Sequence, residues 1–458
     1  MTKLKAPELL LPAGTLEHLH YAFDFGADAV YAGQPRYSLR ARNNEFKLEQ
    51  LQDGITGARR GGKKRFIASN ILPHNAKVKT YLRDMEPLIA MKPDALIMAD
   101  PGLLMLVKDK WPDQEIHLSV QANTVNFAGV KFWQRQGLSR VILSRELSLD
   151  EIEEIRQECP DIEIEVFVHG ALCIAYSGRC LLSGYFNRRD PNQGTCTNAC
   201  RWEYKVHDTA NADNGDVTLL NGFDFNQEVA SANQQFSAAG GVNRHPAANK
   251  TYLIEDLSRP GEMMPILEDE HGTYIMNSKD LRAIQHVERL VKIGVDSLKV
   301  EGRTKSIYYV SRVAQAYRQA IDAAVTGKPF DPSLLANLDG LANRGYTDGF
   351  LQRHHAEDYQ NYLDSHSKSR ASQYVGEVLS VDAAGWGLIE VKNKFSLGDQ
   401  LELIHPSGTR VIELNLMHNK KDEAVEVAQG SGVYVKIPNL HGMEKALLAR
   451  IIPQAAQE

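Results

Sequence analysis

Eight short runs rich in Val, Ile and Leu recur between Glu8 and about Thr326, with amphipathic or polar stretches between them. They are ELLLPAG (8–14), DAVYAGQ (28–34), RFIASNIL (65–72), DALIMADP (94–101), EIHLSVQAN (115–123), RVILSRE (140–146), EIEVFVHG (163–170) and DSLKVEGR (296–303). Strands that are apolar along their whole length are covered on both faces, and connections long enough for a helix give parallel neighbours, so the pattern specifies repeated βα units. Helix signals fit between the runs. Thr15 caps a helix to Phe25 that carries Glu17 in its first turn, a second spans Glu45–Arg59, and Ser148 caps Leu149–Glu158 with Glu151 at the third helical position. Eight such units match a TIM-like (β/α)8 barrel, and the alternation also fits an open doubly wound sheet.

A long interruption, roughly Ala171 to Tyr274, separates the seventh run from the eighth. Connections of that length inside a compact domain are functional or disordered, so a lid or subdomain is expected there. The chain then resumes as NSKDLRAIQHVERLVKIG, read as one amphipathic helix capped by Asn277 or Ser278. Another helix covers Tyr308–Ala324, and the stretch from Gly327 to Arg370 is polar and irregular. Beyond it, alternating polar and apolar residues between Gly, Asp and Asn turns indicate a small antiparallel β-barrel. The expected organisation is a (β/α) barrel over 1–330, containing the 171–275 cysteine loop and insertion, a linker over 331–371, and a β-barrel domain over 372–458. Such a terminal module either holds RNA or another domain, or caps the larger barrel passively.

The insertion opens with VHGALCIAYSGRCLLSGYFNRRDPNQGTCTNACRW (168–202), which holds four of the five cysteines of a 458-residue chain. Cys173, Cys180, Cys196 and Cys200 have six, fifteen and three residues between them, while Cys159 stands apart on a helix. The N-terminal stretch has too few consecutive apolar residues for an export signal and no window approaches a membrane span, so a cytoplasmic location is expected, where clustered thiols serve metals rather than disulfides. Four thiolates suit either a tetrahedral zinc or an iron–sulfur cluster. Only Cys196 and Cys200 approach the short spacing of a zinc knuckle, and Cys173 follows the C-terminal end of a barrel strand, the face on which barrel enzymes work.

Polar residues at the same strand ends are the positional candidates for chemistry: Tyr31, Asn70, Asp100, Gln121, Asn123, Arg145, Glu146, His169, Glu301 and Arg303. His169 is expected either to transfer protons near neutral pH or to donate a hydrogen bond to cluster sulfur. The formal net charge is -6, so binding of nucleic acid needs a local basic patch. Three are present: Arg36, Arg40 and Arg42; Arg59, Arg60, Lys63, Lys64 and Arg65; and Arg188, Arg189 and Arg201. The second precedes a strand and falls on the face opposite the site. Neither HExxH nor GxSxG occurs, and a peptidase needs a nucleophile beside a base or a metal-bound water beside a carboxylate.

The residues Glu165, Phe167, Gly170, Ala171, Leu172, Cys173, Gly178, Cys180, Leu182 and Ser183 resemble the signature of the collagenase-like peptidases, family thirty-two of those with unknown catalytic type. LPAG, DAVYAG and KVEGR extend the resemblance over roughly the first 330 residues, and the C-terminal β-module is most similar to that of the prephenate-dependent tRNA uridine hydroxylase branch. The resemblance implies oxygen-independent hydroxylation of the wobble uridine at C5, the first step toward 5-oxyacetic acid uridine, with prephenate as hydroxyl source. It also implies a 4Fe-4S cluster on Cys173, Cys180, Cys196 and Cys200, hence dependence on iron–sulfur assembly machinery. The tRNA anticodon loop becomes the expected partner, with no membrane.

Planar guanidinium forks grip carboxylates in pairs, so Arg145 and Arg303 are the expected hold on the prephenate dianion; Arg179 lies near the same mouth. His169 and Glu301 complete the candidate catalytic set. A target base that leaves its stack needs an aromatic partner, for which Tyr31, Tyr37, Tyr176 and Tyr185 lie in suitable loops. A collagenase-like peptidase and a zinc-stapled RNA-binding adaptor are the alternative readings.

Overall fold

Parallel pairing in chain order joins β1 (Glu8–Pro12), β2 (Ala29–Gly33), β3 (Lys64–Ser69), β4 (Ala95–Met98), β5 (Ile116–Leu118), β6 (Arg140–Ile142) and β7 (Glu163–Ala171) in the computed structural model. The structure describes residues 4–33, 36–39, 46, 48–172, 279–343, 345–352, 372–430 and 432–452, together with the backbone of several strands between 204 and 273. Those strands are β8 (Tyr204–Asn211), β9 (Val217–Leu219), β10 (Tyr252–Asp256), β11 (Met263–Ile266), β12 (Glu268–Asp269) and β13 (Gly272–Thr273). After β14 (Asp280–Arg282), β15 (Ser297–Val300) pairs in parallel with both β1 and β7. The eight parallel strands therefore close on themselves, and the closed barrel rather than the open sheet is the architecture.

Helices fill the connections: α1 (Leu16–Asp24), α2 (Leu48–Arg60), α3 (Asn75–Ala90), α4 (Pro101–Lys110), α5 (Phe127–Arg135), α6 (Leu149–Glu158), α7 (Val287–Ile293), α8 (Ile307–Val325) and α9 (Ser333–Asp339). Thr15 caps α1 by accepting from the His18 N–H, and Ser148 and Glu151 form a reciprocal capping box on α6. Asp100, a positional site candidate, is the N-cap of α4, its carboxylate accepting the Leu103 N–H at 2.8 Å.

The single helix expected to start at Asn277 or Ser278 is corrected: residues 280–282 form β14, which runs antiparallel to the end of β7, and α7 begins only at Val287. Pairing with the exposed edge of β7 outcompetes the helical periodicity of that segment, a tertiary override of local preference. The polar stretch after Gly327 likewise contains α9 and β16 (Tyr346–Thr347), which pairs with β14.

The antiparallel C-terminal module comprises β17 (Ser372–Val381), β18 (Gly387–Val391), β19 (Phe395–Ser396), β20 (Gln400–His405), β21 (Gly408–Glu413), β22 (His418–Asn419), β23 (Val427–Ala428), β24 (Tyr434–Ile437) and β25 (Leu447–Ile451). Seven of them form one sheet in the order β21-β20-β25-β17-β18-β24-β22, and β19 pairs with β23. Its own core includes Val375, Ile389, Phe395 and Leu448. The module packs on α1 and α8 of the barrel. Arg312 meets Glu402 at 2.8 Å, the Tyr21 hydroxyl donates to Glu377, and Tyr308 stacks on Tyr374 with centroids 5.1 Å apart.

Inside the barrel the lower layers are charged. Arg140, 1% exposed, is 2.6 Å from Glu8, 2.9 Å from Glu165 and 2.7 Å from Glu163, while Lys299 donates to the other Glu165 oxygen at 2.7 Å. Burial alone pushes a carboxyl upward, yet Lys299 and Arg140 hold Glu165 below its ordinary range, so it is ionised. Burial draws Lys299 down, opposed by Glu165.

Candidate functional site

At the C-terminal ends of the parallel strands lies a pocket walled by alternate residues of successive strands. Lys299, Glu301 and Arg303, two residues apart, contribute one wall; Tyr31, Asn70, Ser119, Gln121, Arg145 and Phe167 contribute the others. Arg145, with a side chain 8% exposed, lies over the Phe167 ring at 3.9 Å, donates through Nη1 to the Ala171 carbonyl at 2.9 Å and places Nη2 3.8 Å from Glu301. Glu301 also accepts from the Tyr31 hydroxyl at 3.4 Å. Arg303 crosses to the carbonyl of Leu39. Sequence reasoning thus brought Arg145, Glu301 and Arg303 to one site, and the structure groups them.

Lys299 was missed. Strand periodicity alone could have found it, because Lys299, Glu301 and Arg303 sit at steps of two and share a face. Ser119 and Phe167 join the site for the same positional reason.

His169 is not in the pocket, which corrects its expected role there. Lys299 pairs with Phe167, but the next pair is Val300 with His169, so Val168 is an extra residue in β7. That bulge sets His169 on the side of Val300, outward against the helical layer, where it is surrounded by the rings of Tyr309, Tyr317 and Tyr346 at 5.8, 5.6 and 5.5 Å. Burial at 1% exposure lowers its pKa to about 3, with Asp280 opposing, so the folded protein holds a neutral imidazole at neutral pH. Unfolding between about pH 3 and the ordinary value of 6.5 takes up a proton at this ring, so stability falls as pH drops below 6.5 and levels off near 3. His169→Gln is expected to reduce proton uptake on unfolding at pH 5 by about one, read from urea midpoints at pH 7 and 5. His117, also buried and lowered, leaves a residual slope.

The aromatic and basic expectations change as well. Tyr37 is fully buried, edge-on to Tyr81 at 4.9 Å, and belongs to the core; Tyr31, 4% exposed, is covered by Lys299 at 4.5 Å. Neither presents a free face to a base. Arg65 leaves its expected surface patch: fully buried, it donates to the Leu51 carbonyl at 2.9 Å and faces the Phe46 ring, and burial pushes it down to about 10. Arg36 is exposed beside Asp84. Asn123 adopts φ +50 after a turn of 3-10 helix, and Glu146 accepts from Ser144.

Cys173, Cys180, Cys196 and Cys200 lie outside the described residues, as do Arg40, Arg42, Tyr176, Arg179, Tyr185, Arg188, Arg189 and Arg201. Their point of departure is well defined. Gly170 has φ +103, and a Cβ there would collide with the backbone carbonyl of Glu301, so only glycine lets β7 cross the end of β15 this closely. Ala171 follows, its carbonyl held by Arg145 at the pocket rim, and Cys173 is two residues on. Cys159 ends α6, buried, its Sγ 3.6 Å from the Phe127 carbonyl and its thiol pushed up by burial. Among the described residues no group of three or more His, Cys, Asp or Glu is placed to hold a metal ion, and no helix is long and apolar enough to cross a membrane.

Sequence comparison decides the kinship. The model of Peptidase family U32 matches residues 14–361, and that of the Peptidase family U32 C-terminal domain matches residues 370–450. The chain belongs to peptidase family U32. Within that family it is similar to the tRNA hydroxylation protein P of Escherichia coli, 58% identical over 97% of this chain and 96% of that one. A protein of the same name in Haemophilus influenzae is 55% identical over 98% and 97%. A more distant relative, the 23S rRNA 5-hydroxycytidine C2501 synthase of Escherichia coli, is 30% identical over 69% of this chain and 40% of its own length.

Proposed function

We propose that this U32 protein is a tRNA hydroxylase, and that it installs the hydroxyl on C5 of the wobble uridine with prephenate as hydroxyl source and a 4Fe-4S cluster on Cys173, Cys180, Cys196 and Cys200. The observation that carries the reading is similarity over nearly the full length of both chains, at more than half identity, to proteins named for tRNA hydroxylation. The mouth of the barrel supports it. Arg145 and Arg303 supply guanidinium groups beside Lys299, a cation set suited to a small polycarboxylate. Glu301, between the Tyr31 hydroxyl and Arg145, is the carboxylate positioned to hold or move a proton.

The donor chemistry fits the cluster: in sequence the four soft thiols begin two residues past Ala171, whose carbonyl Arg145 holds at the rim of this pocket, and the described residues offer no competing metal site. When bound, a 4Fe-4S cluster supplies one-electron chemistry or a polarising iron. Arg145 orients the strand end from which those thiols depart.

The peptidase alternative finds no support in the pocket's own groups. Ser119 donates to the Gln121 amide at 3.2 Å and accepts from Asn70 at 3.3 Å, and an amide is not a base that could activate it. The test is anaerobically purified protein with tRNA lacking the modification, with and without prephenate, read by mass spectrometry of nucleosides. Formation of 5-hydroxyuridine only when prephenate is present, by protein containing iron and acid-labile sulfide, is the expected result. No 5-hydroxyuridine under either condition overturns hydroxylation, and prephenate-independent product or zinc without sulfide overturns the finer reading.

A further inference from the structure

One chain of hydrogen bonds runs along the pocket from a backbone N–H to a side-chain amide. The backbone N–H of Leu39 donates to Asn70 Oδ1 at 3.2 Å. An N–H only donates, so the carbonyl end of the Asn70 amide faces Leu39 and its Nδ2 is left to donate to Ser119 Oγ at 3.3 Å. The Ser119 hydroxyl, its oxygen receiving that bond, donates onward to Gln121 Oε1 at 3.2 Å. With Oε1 engaged by that hydroxyl, the other end of the Gln121 amide is Nε2. Gln121 is 1% exposed, lines the pocket, and its Nε2 meets no acceptor among the described residues. An amide N–H2 buried without an acceptor forfeits its hydration without compensation, so an oriented, unspent donor in a pocket marks the place of a ligand oxygen.

The neighbours indicate the class of that ligand. Arg145 Nε is a second buried donor without an acceptor among the described residues. Among the described residues that line the pocket, the cations Arg145, Lys299 and Arg303 outnumber the single carboxylate, Glu301. Donors without acceptors and surplus cations together call for an oxygen-rich anion.

We propose that Gln121 is a specificity-determining residue that donates through Nε2 to an oxygen of a small carboxylic acid held at Arg145, its amide set in the donor orientation by the relay from Leu39 through Asn70 and Ser119. This rests on the hydroxylase reading, in which that acid is the co-substrate. Gln121 selects an acceptor at this point and rejects a ligand that presents an ammonium or an apolar group there, because such a ligand leaves the amide unpaired.

The test measures direct binding of two probes, prephenate and malonate, to full-length protein, alongside the nucleoside assay. Gln121→Met keeps the length and removes the donor; Ser119→Ala removes the hydroxyl that sets the amide. Prephenate binding is expected to weaken about 10- to 100-fold in Gln121→Met and by a smaller factor in Ser119→Ala, with KM for tRNA unchanged. An unaltered melting temperature shows that Gln121→Met is folded; if it is not, Gln121→Asn, which shortens the reach of the same donor, serves in its place with the same expected loss. Wild-type protein that binds neither acid, variants that bind as well as wild type, or a rise in KM for tRNA alone each overturns the proposal. Failure of the hydroxylase reading is separate: it appears as absence of 5-hydroxyuridine from the wild-type reaction, whatever the binding titrations give.

Discussion

Glu165→Ala destabilises the barrel by about 3–5 kcal/mol, the cost of removing one partner from a fully buried ion network. Glu165 is fully buried and accepts from both Lys299 at 2.7 Å and Arg140 at 2.9 Å. Arg140 retains Glu8 and Glu163 when Glu165 is lost, but the described residues offer Lys299 no other carboxylate within ion-pair distance. The penalty therefore falls on Lys299, a cation left in the interior of the barrel. Urea denaturation of the variant reads the loss directly. The double variant Glu165→Leu with Lys299→Met, which removes both charges and fills the space with apolar atoms, recovers most of it. If Glu165→Ala melts like wild type, the network is not a buried ion pair in the folded protein.

Arg145→Ala lowers kcat/KM for tRNA hydroxylation about 10²- to 10³-fold, corresponding to truncation of one buried, hydrogen-bonded charge. The guanidinium does three things at once: it lies on Phe167, holds the Ala171 carbonyl and faces Glu301. Arg145→Lys does not restore activity, since an ammonium cannot stack flat and reach both partners. Because Ala171 is two residues before Cys173, the proposed cluster predicts in addition that the variant retains less iron and sulfide than wild type when purified anaerobically. Full activity in Arg145→Ala would remove this pocket from the reaction.

The barrel was legible because parallel strands buried on both faces leave continuous apolar runs, and every expected run overlaps an observed strand. Features set by long-range pairing were not. The segment at 280–282 carries a helical pattern and becomes a strand because the edge of β7 is there to pair with. His169 follows Phe167 by two residues and should share its face; one extra residue at Val168, which no alternation reveals, turns it outward. Tyr37 and Arg65 looked like surface residues because their neighbours are polar, yet both are fully buried. Arg145, Glu301 and Arg303 were found because polar residues at strand ends have few places to go except the mouth of a barrel.

The most direct measurement is the 5-hydroxyuridine-derived modification in tRNA from cells lacking this gene, grown without air and complemented with wild-type protein or with Arg145→Ala. The modification is expected to be absent without the gene, restored by the wild type, and largely missing with the variant. Full modification in cells lacking the gene under those conditions, or equal restoration by both proteins, would contradict the assignment of tRNA hydroxylation to the mouth of this barrel.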